Sequence, residues 1–440
     1  MTVALALSMT GSASFAGTGG VTGDQIKADK GGGVPDVMPP KDAGVQAGQA
    51  PLMDLANQTT TEFSASAAWA GLELDPPSHA VKLYWVGTPT PDLSVFLASN
   101  PDLELVPGKF GLAAVKAAAD EIGALNPTLH LEIAGISVAN NGDGLAVQAV
   151  GAPSLSDVSK STDNSQLMST LRQVAARHGV GIATKPVVIG SDSVPGGALA
   201  YGRQTDTSPF WGSAVALSSN NDYCSTGFGM HATGDPNAWF LLLNAHCAGF
   251  VNGHPFTTGS GGGLGTSDFI GLLYNSSVSY DLGVIRMYPG ATSGAAFYTT
   301  GETGYRYVNG YAGGGMIMNA TYCVSGVGSY LSGQPTPNCN LLTTQQYKDC
   351  TNYPGGKCVW LIGGKTTNGA ISYCHGDSSG PIYYTDGSGA TIAAGLATAI
   401  YPQNPATSTA SGPANCYMWF GSSVVATAVK GVPGLAVNVH

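Results

Sequence analysis

The sequence has few charged residues: Asp, Glu, Lys and Arg together make up 10% of its 440 residues. Its 17 basic residues form no run of Lys and Arg, and the formal net charge is −10. Nucleic acids and anionic membranes are bound through clustered basic side chains, so we expect neither as a partner. An apolar run of 18 or more residues is also missing, and no membrane-spanning helix is predicted.

The sequence lacks a C-x-x-C pair, which disfavours zinc ribbons and thioredoxin-like redox sites. No metal and no other cofactor is expected. The cysteines are even in number and all lie in the C-terminal half, which predicts four disulfides in an oxidising compartment. Their pattern alone leaves the pairing open. The eight are Cys224, Cys247, Cys323, Cys339, Cys350, Cys358, Cys374 and Cys416.

Residues 1–16 lack the basic segment that begins a secretion signal, although they hold an apolar stretch, Val3 to Leu7, and a small-x-small cleavage site, Ser14-Phe15-Ala16. Either the true start codon lies upstream and this is a truncated signal, or the segment is a flexible terminus. The cysteines argue independently for export, so we favour the truncated signal and expect a secreted, extracellular protein.

Composition divides the remaining chain. Residues 17–78 are rich in Gly, Ala, Pro, Thr and Asp without a sustained period, and are predicted to be a disordered linker. Residues 79–190 predict a small α+β unit in the order βαββαβ, a ferredoxin-like plan without a cluster of catalytic residue types. Its predicted elements are a strand at Val81–Val86, a helix at Gly111–Leu125, strands at Leu129–Val138 and Leu145–Val150, a helix at Ser165–His178 and a strand at Gly181–Ile189.

Residues 191–440 consist of short apolar strands separated by Gly, Asn, Ser and Pro turns. Regularly spaced short strands with little helix predict a mainly β domain, either a barrel or a sandwich. Its length of about 250 residues fits a double antiparallel β-barrel better than one small sandwich.

One loop of this domain, Cys374-His375-Gly376-Asp377-Ser378-Ser379-Gly380-Pro381, is typical of a tight turn that exposes a serine hydroxyl. Such a turn also leaves backbone N–H groups free to face a developing oxyanion. Clusters of Gly, Ser and Asp are ordinary turn material as well. The loop therefore indicates catalysis only if a base and an orienting carboxylate exist elsewhere in the chain.

His246 is the best candidate for the base, because it follows the apolar strand Trp239–Leu243 and precedes a cysteine that could anchor its loop. His375 is only three positions before Ser378 and is badly placed to take its proton. Asp281 begins another apolar strand, where burial is costly unless the carboxylate is paired. A strand-initiating Asp that bonds nearby N–H groups is the alternative. Together the three occur in the order His, Asp, Ser.

Residues from about 195 to 440 resemble the chymotrypsin-fold (trypsin-like) serine proteases. In residue pattern they are most similar to the secreted streptogrisin-like enzymes of actinobacteria. The resemblance rests on Cys224–Gly229, Leu241–Cys247, Tyr280–Leu282 and Gly376–Pro381, in the family's order and spacing. It implies that His246 is general base and then general acid, that Asp281 orients it, and that Ser378 forms an acyl-enzyme. The backbone N–H groups of Gly376 and Ser378 would form the oxyanion hole.

The resemblance also implies structural roles in the same loops. It suggests disulfides Cys224–Cys247 and Cys374–Cys416; the remaining four cysteines are paired by elimination and proximity as Cys323–Cys339 and Cys350–Cys358. Asp377 would be a buried structural carboxylate. Its expected partner is a new N-terminal amine or a basic side chain such as Arg286 or Arg306.

The substrate-binding residues implied by the resemblance are Ser372, Thr398, Ala399 and Ile400. Ser372 would form a neutral pocket floor, which disfavours Lys or Arg and favours a hydrophobic or aromatic residue on the acyl side of the scissile bond, the P1 position. Three residues depart from the family pattern. Ser379 stands where Gly is usual after the nucleophile, Leu243 where a small hydroxyl residue is usual, and Ile400 where Gly is usual; Thr398 could still reach Asp281.

The resemblance further implies that residues 79–190 are a pro-region, an intramolecular inhibitor or folding aid that is removed near Gly190 to Gly197; an unrelated accessory domain is the alternative. We therefore expect a secreted, monomeric bacterial serine endopeptidase that is made as a zymogen and acts on polypeptides. The other candidate is a protease-like β-barrel binding protein with weak or no activity. An esterase fits worse, because the serine is not in the G-x-S-x-G context and the order of the three residues differs.

Overall fold

The computed structural model describes residues 40–125, 133–139, 141–150, 162–187, 203, 206–218, 223–258, 269–301, 304–350, 353, 357–369, 371, 373–399, 416–432 and 434–440. The predicted signal segment and the predicted cleavage region at 190–197 lie outside these residues. So do residues 17–39 of the predicted linker and, within the C-terminal domain, Ser372 and Ile400.

The helices and strands before residue 190 alternate along the chain. The helices are α1 (Pro40–Phe63), α2 (Pro91–Ser99), α3 (Leu112–Leu125) and α4 (Thr162–Arg177). The strands are β1 (Trp69–Asp75), β2 (Ala80–Trp85), β3 (Leu103–Pro107), β4 (Ile133–Val138), β5 (Leu145–Val150) and β6 (Ile182–Val187).

The elements after residue 203 are almost all strands. They are β7 (Phe210–Gly212), β8 (Val215–Ser218), β9 (Tyr223–Ser225), β10 (Gly229–Ala232), β11 (Asp235–Leu243), β12 (Pro255–Thr257), β13 (Phe269–Ser277), β14 (Leu282–Met287), β15 (Ser293–Tyr298), β16 (Tyr305–Tyr307), β17 (Gly310–Tyr311), β18 (Thr321–Val324), β19 (Asn338–Asp349), β20 (Val359–Thr366), β21 (Tyr373–Cys374), β22 (Pro381–Thr385), β23 (Thr391–Ala399), β24 (Cys416–Tyr417), β25 (Trp419–Val424) and β26 (Leu435–Val437). Two short helices, α5 (Val327–Leu331) and α6 (Val425–Gly431), and two 3-10 turns, Ala245–Ala248 and Val278–Tyr280, complete the described part.

Two large, mainly antiparallel sheets dominate the C-terminal domain, beside a small sheet of β16, β15 and β7 and the pair β21–β24. The first pairs eight strands in the order β26-β10-β11-β14-β13-β12-β8-β9, and Leu241, Phe256 and Ile285 fill its interior. The second runs β18-β22-β23-β25-β20-β19, and β19 pairs back with β18, which closes a six-stranded barrel. These observations confirm the mainly β fold class. Leu242 and Leu396 belong to a buried cluster shared by the two sheets, so the sheets pack against each other.

The N-terminal elements are joined to the second sheet. Strand β4 pairs with β19 in antiparallel register, and β5 and β6 extend the same sheet outward. Beneath them, α3 and α4 pack in a cluster that also contains Cys350 of the C-terminal domain. Another cluster combines Leu52 and Trp85 with Tyr322 and Phe420. The two regions of the chain therefore share hydrophobic cores.

The α+β class of the N-terminal unit is confirmed, but its strands are distributed differently from a ferredoxin-like sheet. Strand β2 pairs with β1 and β3 in a separate three-stranded sheet, whereas β4, β5 and β6 join β19. Two elements that the sequence pattern did not predict, α2 and β3, explain the change. They follow β2 immediately and provide it with a parallel neighbour.

Residues 40–78 are not the linker that composition predicted, because they form α1, β1 and a 3-10 turn at Pro76–Ser78. Helix α1 is held by its contacts with the barrel. Leu52 and Met53 are buried in the shared core, and the side chain of Gln49 both donates to the Thr321 carbonyl and accepts from its N–H (2.9 Å). Burying these backbone groups without a partner would be costly, so the helix satisfies the backbone of Thr321 at the start of β18.

None of the helices in the described ranges has the length and apolar character needed to cross a membrane.

Candidate active site

His246, Asp281 and Ser378 lie in one hydrogen-bonded row. His246 is in a 3-10 turn directly after β11, Asp281 immediately precedes β14, and Ser378 lies between β21 and β22. Nδ1 of His246 is 2.5 Å from Oδ2 of Asp281, and its Nε2 is 2.9 Å from the Ser378 hydroxyl. An ionised carboxylate only accepts, so Nδ1 carries the proton and Nε2 is left to accept from the serine. The row joins the two sheets.

The backbone fixes Asp281 in an unusual conformation. Its φ is +47°, in the left-handed region that Asp tolerates better than most residues. The side chain is fully buried, and its Oδ1 accepts from the backbone N–H of His246 (2.8 Å). The carboxylate therefore grips both the main chain and the ring of the same histidine, which sets the direction of the imidazole.

The loop around Ser378 turns at Gly376, whose φ is +92°. A Cβ at this position would lie 2.0 Å from the Tyr223 ring, so the turn requires glycine. Ser225 holds the loop from below, since its hydroxyl donates to the Gly376 carbonyl and its N–H donates to the Ser378 carbonyl (both 2.8 Å). Among the described residues, the N–H groups of Gly376 and Ser378 donate to no backbone carbonyl.

Ser379 has a φ of +72° and is tied to the histidine loop through Asn244. Its hydroxyl accepts from the Asn244 N–H (2.7 Å), and its own N–H donates to the Asn244 side-chain oxygen (2.5 Å). This reciprocal pair compensates for the strained backbone. Asn244 also donates to the Asp281 carbonyl (3.0 Å) and to the Thr398 hydroxyl (2.8 Å), so it links all three loops.

Two buried tyrosines that the sequence pattern did not single out contact the two ends of the row. The Tyr353 hydroxyl donates to Oδ2 of Asp281 (3.1 Å), and the Tyr373 hydroxyl is 2.8 Å from the Ser378 hydroxyl. Thr398, which was expected to reach Asp281, instead bonds Asn244 and Ser423. The carboxylate is already surrounded by better-placed donors, so Thr398 supports it only indirectly.

The other predicted substrate-binding residues are only partly described. Ala399 is the last residue of β23, beside Thr398, and its side chain is outside the described atoms. Ser372 and Ile400 lie outside the described residues, so the P1 prediction stays a prediction. Leu243 is fully buried in the first sheet and brings no hydroxyl to Asp281, as expected from its identity.

Asp377 is buried within the Ser378 loop, Cys374–Pro381, but its partners differ from those expected. Its carboxylate accepts from the N–H and the hydroxyl of Ser329 (2.7 and 2.5 Å) and from the Cys374 N–H (2.7 Å). Arg286 instead lies against the Tyr274 ring, and Arg306 against the Tyr383 ring, so neither is its counter-ion. Burial raises the pKa of Asp377 to about 6, against these hydrogen bonds and the weaker attraction of Arg203.

This raised pKa predicts that the protein loses stability as the pH rises. An ordinary Asp titrates near 3.8, so the folded state binds an extra proton at Asp377 between that pH and about 6. Unfolding free energy should therefore fall by roughly 2 kcal/mol between pH 4 and 6.5 through this group alone. Urea unfolding of Ser378→Ala protein with and without Asp377→Asn measures it. Equal pH slopes for the two proteins would contradict the assignment.

The four expected disulfides are all present: Cys224–Cys247, Cys323–Cys339, Cys350–Cys358 and Cys374–Cys416. Cys224–Cys247 connects the His246 loop to β9, the strand whose Ser225 bonds the Ser378 loop. The last connects the base of that loop to β24. Cys224, His246 and Cys247 lie close enough together to suggest a metal site. Both sulfurs form the disulfide, however, so neither is a thiolate that could bind a metal.

Comparison with known proteins finds similar solved structures, but no matching family model and no matching curated protein. Among solved structures, a Nocardiopsis protease is 16% identical with a TM-score of 0.36, covering 51% of this chain and 98% of its own. A Cellulomonas bogoriensis chymotrypsin is 18% identical with a TM-score of 0.33, covering 52% and 98%. At such scores the likeness carries no argument, so function must be inferred from the site.

Proposed function

We propose that this protein is a secreted serine endopeptidase of the chymotrypsin-like kind, made as a zymogen, that hydrolyses peptide bonds through an acyl-enzyme. The observation that carries the proposal is the position of His246, which is within hydrogen-bonding distance of Asp281 on one side and of Ser378 on the other. A serine hydroxyl is a poor nucleophile until a base takes its proton, and this arrangement supplies an oriented base.

Each residue of the site has a separate role in the proposed reaction. His246 Nε2 takes the hydroxyl proton while Ser378 Oγ bonds to the carbonyl carbon, and the resulting oxyanion accepts from the N–H groups of Gly376 and Ser378. Asp281 stabilises the imidazolium that forms. His246 then gives the proton to the leaving amine, which departs and leaves the acyl-enzyme. Water then attacks the acyl carbon while His246 Nε2 takes a proton from it. The ester bond to Ser378 Oγ breaks, His246 returns the proton to that oxygen, and the carboxylic acid product leaves.

The N-terminal region is proposed to act as the pro-region. Its strand β4 pairs with β19, and α1 places Gln49 on Thr321, at the start of the neighbouring strand β18. Hydrogen-bonded pairing with an exposed edge gives a helper segment a template on which the slow antiparallel barrel forms. The alternative of an unrelated accessory domain accounts less well for the shared cores.

Active-site labelling tests the proposed function. Matured protein is treated with a fluorophosphonate, digested and mapped, and we expect the reagent on Ser378 and not on its neighbour Ser379. Heat-denatured protein is the control, because an isolated serine hydroxyl does not react. Folded, processed protein that leaves Ser378 unmodified would support the protease-like binding protein instead.

The pH dependence follows from His246. Burial lowers the pKa of this histidine, but the charge of Asp281 and its hydrogen bond outweigh that effect and raise it above the ordinary value of 6.5. The imidazole must be neutral to accept the serine proton. We therefore expect kcat/KM to fall as the pH decreases, with the midpoint of this acid limb above 6.5. A profile that remains flat down to pH 5.5 would contradict it.

A further inference from the structure

The Asp281 carboxylate receives a third donor besides the two groups of His246. Oδ2 accepts both from Nδ1 of His246 (2.5 Å) and from the hydroxyl of Tyr353 (3.1 Å). Tyr353 is buried, and burial together with the charge of Asp281 raises the pKa of its phenol well above the usual 10, so it stays protonated and donates. A buried carboxylate with an unfilled acceptor is costly, which gives this bond a physical reason.

The position of Tyr353 is fixed by a nearby disulfide and by a ring contact with Phe250. The residue lies between β19 and β20, in the segment that the Cys350–Cys358 disulfide closes. Its ring packs against Phe250 at 5.9 Å between centroids, and the Phe250 N–H donates to the Ala245 carbonyl, one residue before His246. The phenol is thus held from the second barrel on one side and from the histidine loop on the other.

We infer that Tyr353 is a positioning residue of the active site, whose hydroxyl holds the Asp281 carboxylate in the orientation that accepts from His246. This inference rests on the proposed function. It also accounts for Leu243 and Thr398, which bring no hydroxyl to that carboxylate. The donor comes instead from a residue 72 positions further along the chain.

The hydroxyl should also set how readily the His246–Asp281 pair takes up a proton. A donor on the carboxylate stabilises its negative charge and lowers the proton affinity of the coupled pair; its removal raises that affinity. Among the described residues, the other ionisable groups near the row are Asp349 and Tyr347 on β19, Tyr373 on β21, Asp377 in the Ser378 loop and Tyr417 on β24. They are the same before and after a change at Tyr353.

Tyr353→Phe tests the inference by removing one oxygen atom. We expect kcat about three- to tenfold lower, and the acid limb of kcat/KM shifted up by several tenths of a pH unit. Tyr347→Phe is the matched control, because Tyr347 lies in the same buried cluster and is not among the donors that the described residues supply to Asp281. It should leave the acid limb where it was. An unshifted acid limb in folded Tyr353→Phe protein would overturn the inference.

Two further measurements keep the test independent of folding and of turnover. Site-specific 3-fluorotyrosine at residue 353 keeps the shape but gives a more acidic phenol and a stronger donor, so the acid limb should move down. The proton resonance of His246 Nδ1 should titrate higher in Tyr353→Phe than in the parent, including in Ser378→Ala protein that cannot turn over. An unmoved resonance overturns the role of Tyr353, whereas absent labelling of Ser378 overturns the proposed function alone.

Discussion

Ser378→Ala is expected to lower kcat for peptide hydrolysis by roughly a millionfold, to the level that binding and oxyanion contacts provide without a nucleophile. The alanine keeps the turn, because Gly376, Asp377 and Ser379 hold the loop through backbone groups and their own side chains. It removes only the atom that His246 would deprotonate. Hydrolysis of a chromogenic peptide by the purified variant, with stability checked in parallel, measures the effect.

Ser379→Ala is the matched control for this change. It removes the neighbouring hydroxyl, which accepts from the Asn244 N–H, and it should cost about 1 kcal/mol of stability while kcat stays within tenfold.

The Ser378→Ala chain should also remain uncut between the N-terminal region and the C-terminal domain when purified alone. Processing of that chain would exclude self-cleavage, and residual activity above one hundredth of the parent would contradict the role of Ser378.

The parts of the site that could be predicted from the sequence are those encoded by contiguous residues. A strand that ends in His246 and a disulfide cysteine is a local pattern, and so is a Gly-flanked serine such as Ser378. Each pattern predicts the conformation of its own loop, and in the structure His246 Nε2 lies 2.9 Å from Ser378 Oγ. Their relation across the chain followed from a family resemblance and not from local physics.

The parts that could not be predicted depend on contacts between distant segments. Tyr353 lies 72 residues from Asp281, in a stretch that has the composition of an ordinary turn. Asn244 offered a weak signal, since it is a polar residue at the end of a buried apolar strand and is fully buried itself. Such a side chain must find partners, but the sequence does not say that they are Ser379 and Thr398.

Helix α1 was missed for a related reason. Its sequence is rich in Ala, Gln and Thr and includes Pro51, so no strong apolar face marks it as a helix. The buried side chains of Gln46 and Gln49 obtain partners from Thr321 and Thr385, which lie more than 270 residues further along the chain. A segment stabilised by a surface that is already folded has little periodicity of its own.

Asp281→Asn is expected to lower kcat by about 10⁴-fold, although it preserves volume and retains an acceptor for the His246 N–H. The amide that replaces Oδ2 donates toward Nδ1, so His246 binds its proton on Nε2 instead and can no longer accept from Ser378. The ¹⁵N shifts of the imidazole would report this tautomer directly. Asp235→Asn, at an exposed position of β11, is the control and should leave kcat unchanged. If Asp281→Asn retained a tenth of the activity with Nε2 unprotonated, orientation by Asp281 would not be what makes His246 a base.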